Sequence, residues 1–384
     1  MISDQSIPLS KPYVSPQSSA FVFETLGQLH QQGDGRYSEL STKELVSLTK
    51  TDQILLTPSC TSSLEIASML IGLMPGDEVV MPSFNFTSAA TAVTKFGATP
   101  VFVDVEAHGL CIDSKLVEKA ITKKTKAISW VNYAGYLPDT NHLQAIAQQC
   151  GLFLVEDNAH GLGSFDSGRR LGSIGDFVTY SFHATKNIQC GEGGAITIKD
   201  DELYRRAKVL REKGTNRSDF MDGLVDKYSW VDLGSSYLLS ELQASLLYGN
   251  LLDFAYIQEQ RRIIYERYCS NLVSLAQKYP IVCKFHSYNE NFAYHLVYIL
   301  MDSEDRRTKL ITFMRRNSIT TAFHYQSLHS SIAGNRYGRH VGELENSDLV
   351  SKQLLRLPLY VGMSLAQVDK VCSLIEDFFS EIRL

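Results

Sequence analysis

Residues 54–81 run I-L-L-T-P-S-C-T-S-S-L-E-I-A-S-M-L-I-G-L-M-P-G-D-E-V-V-M. Ile54–Leu56 is a short apolar run of strand type. The Ser and Thr residues after it suit a helix N-terminus, and they predict a helix over Ser62–Leu73. Pro75-Gly76-Asp77 is a turn, and Glu78–Met81 is a second strand. The same alternation continues outward. Thr87–Phe96 reads as a helix closed by Gly97, Pro100–Val103 as a strand, Ser114–Ile121 as a helix and Ala127–Val131 as a strand. Thr140–Gln149 follows as a helix and Leu152–Val155 as a strand. Short β-branched strands separated by helices build βαβ units, so the expected architecture is α/β with a mostly parallel sheet covered on both faces. Ligands of such sheets sit at the carboxyl ends of the strands.

The flanks are less regular. Pro8, Pro12 and Pro16 punctuate an extended opening segment, followed by helices expected around Phe21–Gln31 and Lys43–Thr49 with a Gly33-Asp34-Gly35 turn between them. Beyond the alternating region, Asp201–Lys213 is a charged helix, 214–236 a polar Gly/Ser-rich loop, and Tyr237–Tyr268 long helical structure. A second unit pairs strand Ala293–Leu300, helix Arg306–Arg316 and strand Thr320–Phe323, and helix Leu365–Ile382 closes the chain. The expected division is a large domain over 1–250 and a smaller α+β C-terminal domain over 251–384.

Composition narrows the class. The 384 residues, 44% hydrophobic, are enough for a large core with one smaller unit beside it. A formal net charge of −5 leaves no basic footprint, so nucleic acid is not expected as a partner. The seven cysteines lack C-x-x-C spacing, which reads as reduced thiols in a cytoplasmic protein. Neither a signal peptide nor a membrane span is expected, and no metal site is expected.

The chemistry concentrates in two stretches. Y-S-F-H-A-T-K-N-I-Q-C-G-E-G-G, residues 180–194, carries Lys186 after the strand run Phe177–Phe182 and before a glycine turn and the strand Ala195–Ile198. V-E-D-N-A-H, residues 155–160, places Asp157 just past a buried strand, where a carboxylate is costly unless it is paired. A lysine that forms an imine and an aspartate that holds a pyridinium N–H are the signature of pyridoxal 5'-phosphate chemistry. Taken singly, Lys186 is a surface lysine and Asp157 a helix cap. Ser59-Cys60-Thr61-Ser62-Ser63 opens a helix and suits a phosphate, with Ser181 converging on it, although ordinary capping explains it alone. Phe86 suits a ring stacked on the pyridine, and His160 a hydrogen bond to the ring hydroxyl; alone, each is a core or structural residue.

With these residues in this order, the sequence resembles the DegT-type sugar-nucleotide aminotransferases of the fold-type I pyridoxal phosphate superfamily, over essentially its whole length. P-G-D-E-V (75–79), P-S-F-N-F (82–86), G-A-T-P-V-F-V-D-V (97–105) and T-K-K-T-K-A-I (122–128) carry the likeness. So do E-D-N-A-H (156–160), S-F-H-A-T-K-N (181–187), G-E-G-G-A (191–195), E-L-Q-A (241–244) and R-L-P-L (356–359). Within the family, T-P-S-C-T-S-S-L-E (57–65), R-E-K-G-T-N-R-S (211–218), D-K-Y-S-W-V-D-L-G-S-S-Y (226–237) and F-H-Y-x-x-L-H (323–329) are similar to enzymes that aminate TDP-4-keto-6-deoxy-D-glucose at C4.

The resemblance implies an aspartate-aminotransferase-like fold and a set of roles. Lys186 is the imine lysine and the catalytic base and acid. Asp157 partners the ring nitrogen, Phe86 stacks on the ring, and Thr61, Ser62 and Ser181 hold the phosphate. His160 stands where many members carry Gln, and Cys60 where most carry Gly. Ser236 replaces the family asparagine that reaches a neighbouring subunit's cofactor phosphate. Lys213, Asn216, Arg217, His324, Tyr325 and His329 are candidates for the sugar and diphosphate. The implied reaction moves the amino group of L-glutamate to the sugar, giving TDP-4-amino-4,6-dideoxy-D-galactose for cell-surface polysaccharide synthesis. The gluco epimer and amination at C3 remain open. A homodimer is implied by the resemblance and by the apolar run Tyr237–Tyr248. A 3-dehydratase of the same fold needs histidine at position 186, an amino-acid lyase lacks the sugar-enzyme stretches, and a regulator of the same fold has no use for Lys186 and Asp157.

Overall fold

The alternation of apolar runs and capped helices folds as a mixed sheet wrapped by helices. The computed structural model describes residues 6–107, 110–221, 223–285 and 291–382. Its first strands are β1 (Ile54–Thr57), β2 (Glu78–Pro82), β3 (Thr99–Val103), β4 (Thr125–Val131) and β5 (Phe153–Asp157). A two-residue hairpin follows, β6 (Phe165–Asp166) and β7 (Arg169–Arg170), then β8 (Phe177–Ser181) and β9 (Gly194–Ile198). The second unit contributes β10 (Ile281–Val282), β11 (Val297–Met301), β12 (Arg339–His340) and β13 (Leu354–Leu357).

The large sheet has the order β1-β9-β8-β5-β4-β2-β3-β12. Every pair from β8 to β12 is parallel, and the two pairs made by β9 are antiparallel. The exception has a local cause: β8 and β9 are joined directly through the Lys186 turn, and a hairpin connection forces the strands to oppose. β1 runs in the same direction as β2 but lies at the far edge, with four strands between them, so helix Cys60–Ile71 crosses the sheet rather than joining neighbours. Burial on both faces accounts for the continuous apolar runs: β1, β2 and β9 are buried at every position.

Most expected elements form, with shifted ends. The helix expected over Phe21–Gln31 lies at Pro16–Leu26, with Pro16 in its first turn. The helix expected at Lys43–Thr49 starts earlier and spans Arg36–Thr49. The run expected to be helical from Tyr237 is extended up to Ser240, which caps helix Glu241–Leu252, and Asp253 separates that helix from Phe254–Ala276. Thr320–Phe323 is not a strand. Thr320 N–H bonds Ile7, while Ala322 exchanges bonds only with Arg356, so no two successive rungs form with one partner. The strand there is β13, in the L-L-R-L run, paired with β11. Helix Leu365–Ile382 forms over the expected residues.

The three-stranded sheet β10-β11-β13 and the helices Phe254–Ala276, Glu304–Arg316 and Leu365–Ile382 share one core that includes Tyr268, Leu310 and Ile375. We propose the domain boundary at 250/251 with two crossings. Ile7 packs in this second core, and β12 returns to the edge of the large sheet. No helix among the described residues is long and apolar enough to cross a membrane.

Candidate active site

A cavity of about 430 Å³ opens at the carboxyl ends of β5 and β8, between the two units. The large unit contributes Thr61, Phe86, Asp157, His160, Ser181 and Lys186 to its wall. The second unit contributes His295, His324, Tyr325 and Arg356.

Lys186 is held by the β8–β9 turn. Phe182 N–H donates to Gly193 O (2.8 Å), Ala184 N–H to Gly191 O (2.8 Å) and Lys186 N–H to His183 O (2.9 Å). Gly191 sits at φ +80°, where side chains are disfavoured. Gly194 serves a different need: a Cβ there would lie 2.5 Å from Cys60 N, so only glycine lets β9 pass the N-terminus of helix Cys60–Ile71. Burial pushes the Lys186 ammonium down to about 8, against the opposing pull of Asp157.

Asp157 is best understood beside Glu156. Strand alternation turns the two carboxylates to opposite faces of the sheet. Glu156 is fully saturated: it accepts from Asn132 Nδ2 (2.7 Å) and from the N–H groups of Gly172 (2.7 Å), Ile174 (3.0 Å) and Gly175 (3.0 Å). Asp157 Oδ1 accepts from Ala159 N–H (3.0 Å) and lies 3.9 Å from the Cys60 thiol. Among the described residues Oδ2 receives no hydrogen bond. Burial raises the Asp157 pKa, while Ala159 N–H and Lys186 oppose the rise. A buried carboxylate with one oxygen left free on a cavity wall fits a partner that carries an N–H.

The N-terminus of helix Cys60–Ile71 faces the same space. Ser59 Oγ caps it by accepting from Ser62 N–H (3.1 Å), and Ser63 N–H bonds Ser59 O (3.2 Å), which leaves the N–H groups of Cys60 and Thr61 for an anion. Thr61 Oγ1 and Ser88 Oγ lie 2.7 Å apart on the wall. Ser62 turns its hydroxyl to Ser59 (3.0 Å), gives its N–H to the same Ser59 Oγ, and is not on the cavity wall, so this arrangement does not turn it toward a phosphate. Phe86, the N-cap of the next helix, keeps 53% of its surface exposed at the rim, 5.7 Å from the Tyr325 ring. An apolar ring left this open suits stacking. His160 Nδ1 accepts from Ala134 N–H (3.1 Å), and burial holds the ring neutral, so the proton is on Nε2. His160 is therefore a donor, as an amide nitrogen in the same place would be.

The other expected substrate residues divide. His324 and Tyr325 reach the cavity. His329 does not: its ring bonds Ser83 Oγ (2.7 Å) and pins residues 323–329 beneath the Phe86 turn. Lys213, Asn216, Arg217 and Ser236 are not on the cavity wall of their own chain. Arg217 pairs with Glu212 (3.1 Å), Lys213 lies 4.0 Å from the same carboxylate, Asn216 accepts from Ser229 N–H (2.8 Å), and Ser236 is exposed and bridges Glu212. Ser88, His183, Glu192, His295 and Arg356 line the cavity without having been singled out as site residues in the sequence. His183, Glu192 and Arg356 lie in the quoted S-F-H-A-T-K-N, G-E-G-G-A and R-L-P-L stretches, whereas Ser88 and His295 had no sequence signal.

This donor set fits pyridoxal 5'-phosphate: a lysine with a depressed pKa, a carboxylate with a free oxygen, an anion-binding helix end and an exposed ring surround one space. The fold and site define a fold-type I aminotransferase. Comparisons with known proteins agree. The model of the DegT/DnrJ/EryC1/StrS aminotransferase family matches residues 22–376. The uncharacterised protein MJ1066 of Methanocaldococcus jannaschii is 31% identical over 334 residues, 85% of each chain. Among solved structures, the PMP form of the putative sugar aminotransferase Spr1654 of Streptococcus pneumoniae superposes with a TM-score of 0.89 at 26% identity, covering 98% of this chain and 100% of that one. The aminotransferase TlmJ of Streptoalloteichus hindustanus gives the same values. DesV of S. venezuelae, solved with a ketimine intermediate, gives 0.84 at 29% identity over 94% of each chain. The chain belongs to the DegT/DnrJ/EryC1/StrS aminotransferase family and is a pyridoxal-phosphate-dependent sugar aminotransferase.

Proposed function

We propose that this enzyme transfers the amino group of L-glutamate to C4 of TDP-4-keto-6-deoxy-D-glucose, giving TDP-4-amino-4,6-dideoxy-D-galactose, and that it works as a homodimer in the cytoplasm. The observation that carries the reading is the convergence of Lys186 and Asp157 on one cavity with the Cys60–Ile71 helix end, closed by His324 and Tyr325 from the F-H-Y-x-x-L-H stretch. That stretch, with 57–65, 211–218 and 226–237, supports the choice of sugar.

Bound here, the cofactor supplies an aldehyde that exchanges amines and a ring that takes up electrons from the bond broken at the donor Cα. Asp157 Oδ2 holds the proton on the ring nitrogen. The helix end, Thr61 and Ser181 anchor the phosphate, and Phe86 fixes the ring plane. Lys186 Nζ takes the Cα proton of the donor and later delivers a proton to C4 of the sugar. Ser236, exposed beside Glu212, is assigned to a second copy's cofactor phosphate, which its exposure supports. Lys213, Asn216 and Arg217 belong to the same loop and are assigned to the diphosphate of the sugar bound by that copy.

The test is to incubate the purified protein with cofactor, L-glutamate and TDP-4-keto-6-deoxy-D-glucose, and to read the proton coupling at sugar C4 by NMR. A small H3–H4 coupling, for an axial amine, is expected. A large coupling reassigns the product to the gluco epimer, and no product from this sugar overturns the substrate.

A further inference from the structure

The side chain next to Lys186 is spent on the other unit. Asn187 Nδ2 donates to Ala293 O (2.7 Å) and to Gln258 Oε1 (3.0 Å), and its Oδ1 meets His295 Nδ1 at 2.8 Å. All three partners lie beyond the proposed boundary, in the second unit. A backbone carbonyl can only accept, so the amide nitrogen faces Ala293 and the amide oxygen faces His295. His295 Nδ1 therefore carries the hydrogen and donates to Asn187 Oδ1. Three bonds to the second unit thus converge on the residue that follows the imine lysine.

The ring of His295 covers His160. The two imidazoles stack with centroids 4.2 Å apart and planes at 25°, and burial holds both neutral. The bond from Ala134 N–H fixes one edge of His160 but leaves the ring free to rock, because the last torsion of histidine is soft. A ring packed on its face removes that freedom. The chain that delivers His295 is itself held. Arg261, on helix Phe254–Ala276, donates from Nε to Tyr294 O (2.9 Å) and from Nη2 to His295 O. Tyr294 sits at φ +44°, a conformation costly for a bulky side chain. Gly135, beside Ala134, makes room for the same segment: a Cβ there would lie 2.5 Å from Ala293 Cβ.

We infer that His295 is a positioning residue for Lys186 and His160 together, holding Asn187 through Nδ1 and the plane of His160 through its ring. The two stretches that carry the chemistry, 155–160 and 180–194, are thereby aligned against each other by one side chain of the second unit. Lys186 must present its amine, and His160 its Nε2–H, to a single cofactor, and small misplacements of reacting groups are costly in rate. The contact at His295 sets both placements at once, so docking of the second unit and completion of the site are one event.

The inference rests on the assignment of Lys186 and His160 to the cofactor; a loaded wild-type protein with no imine absorbance band overturns that assignment and the inference with it. Two readings on the cofactor-loaded protein separate the roles of His295. The pH at which the imine band titrates reports the hydrogen bond at the ring oxygen, because a donor there favours the deprotonated imine. The rate of conversion to the amine form by saturating L-glutamate reports the placement of Lys186. H295A should raise the titration by about 1 pH unit, the effect of one lost hydrogen bond. It should slow the conversion by about 10- to 100-fold, while the glutamate concentration for half-maximal rate stays within about threefold. H295F keeps a ring on His160 without the donor, and should restore the titration but not the rate. H295N keeps a donor for Asn187 without the ring, and should restore most of the rate but not the titration. N187A should slow the conversion as H295F does and leave the titration in place. If H295A does not fold, these three variants carry the comparison. Wild-type values of both readings in H295A, or a wild-type rate in N187A, overturn the inference. Equal losses of both readings in H295F and H295N mark His295 as core packing alone and also overturn it.

Discussion

Lys186 and Glu156 are both charged side chains drawn out of bulk water, and they meet opposite fates. Glu156 is surrounded by four donors and acts as a structural staple. Among the described residues Lys186 has no such partner, and burial brings its pKa from the ordinary 10.5 to about 8. The sign matters for cofactor capture, because only the neutral amine attacks an aldehyde. Capture by the apo-protein should accelerate about tenfold per pH unit below pH 8 and level off above it, whereas an unperturbed lysine climbs to beyond pH 10. Stopped-flow absorbance across pH 6–10 reads this directly, and a rise continuing to pH 10 would contradict it. Lys186→Ala should abolish transamination while the phosphate site still binds the cofactor weakly. Wild-type turnover in that variant removes Lys186 from its assigned role.

Among elements, the E-L-Q-A stretch shows how a short motif can be structural. Glu241 begins helix Glu241–Leu252, yet its carboxylate serves another helix. It accepts from the N–H groups of Gly35 (3.1 Å), Tyr37 (2.7 Å) and Ser38 (3.0 Å) and from Ser38 Oγ (2.5 Å). These are the unpaired donors at the start of Arg36–Thr49, whose N-cap Gly35 has no side chain to meet them. Gln243 Nε2 donates to Glu192 O (2.7 Å) and so braces the turn that carries Lys186. Glu241→Ala leaves buried donors unmet and should cost roughly 3 kcal/mol in unfolding free energy, measured by urea denaturation of the cofactor-loaded protein. A change below about 0.5 kcal/mol, the usual range for surface substitutions, is the opposite result.

For the molecule as a whole, the loop between helices Asp201–Arg211 and Glu241–Leu252 carries a series of exposed apolar side chains. Phe220, Met221, Leu224, Trp230, Val231 and Leu233 are all exposed in it, with Trp230 at 79%. A patch of this kind is expensive on a lone chain and suits the proposed homodimer, in which Ser236 and Lys213 meet a second copy. Light scattering on the purified protein should give twice the chain mass. Trp230→Asp together with Leu233→Asp should shift it toward the monomer and lower activity in step. A monomer with full activity sets the dimer aside.

Local chemistry made much of this protein legible before any fold was known. Apolar periodicity, Ser and Thr at helix starts, and glycine at turns act over a few residues, so strands β1 to β5, the closing helix, and Lys186 and Asp157 at strand ends can be read directly. Other features depend on which segments meet. The edge position of β1, the loss of a strand at Thr320–Phe323, and the pinning of His329 on Ser83 follow from competition for backbone donors and packing partners far apart in the chain. The same holds for Arg356, which is 170 residues beyond Lys186 and enters the cavity only because β13 pairs with β11. Residue type and spacing determined the chemistry available to this chain. Tertiary packing decided which charges are left without a partner, because a charge's partners and its exposure to water are properties of the folded surroundings.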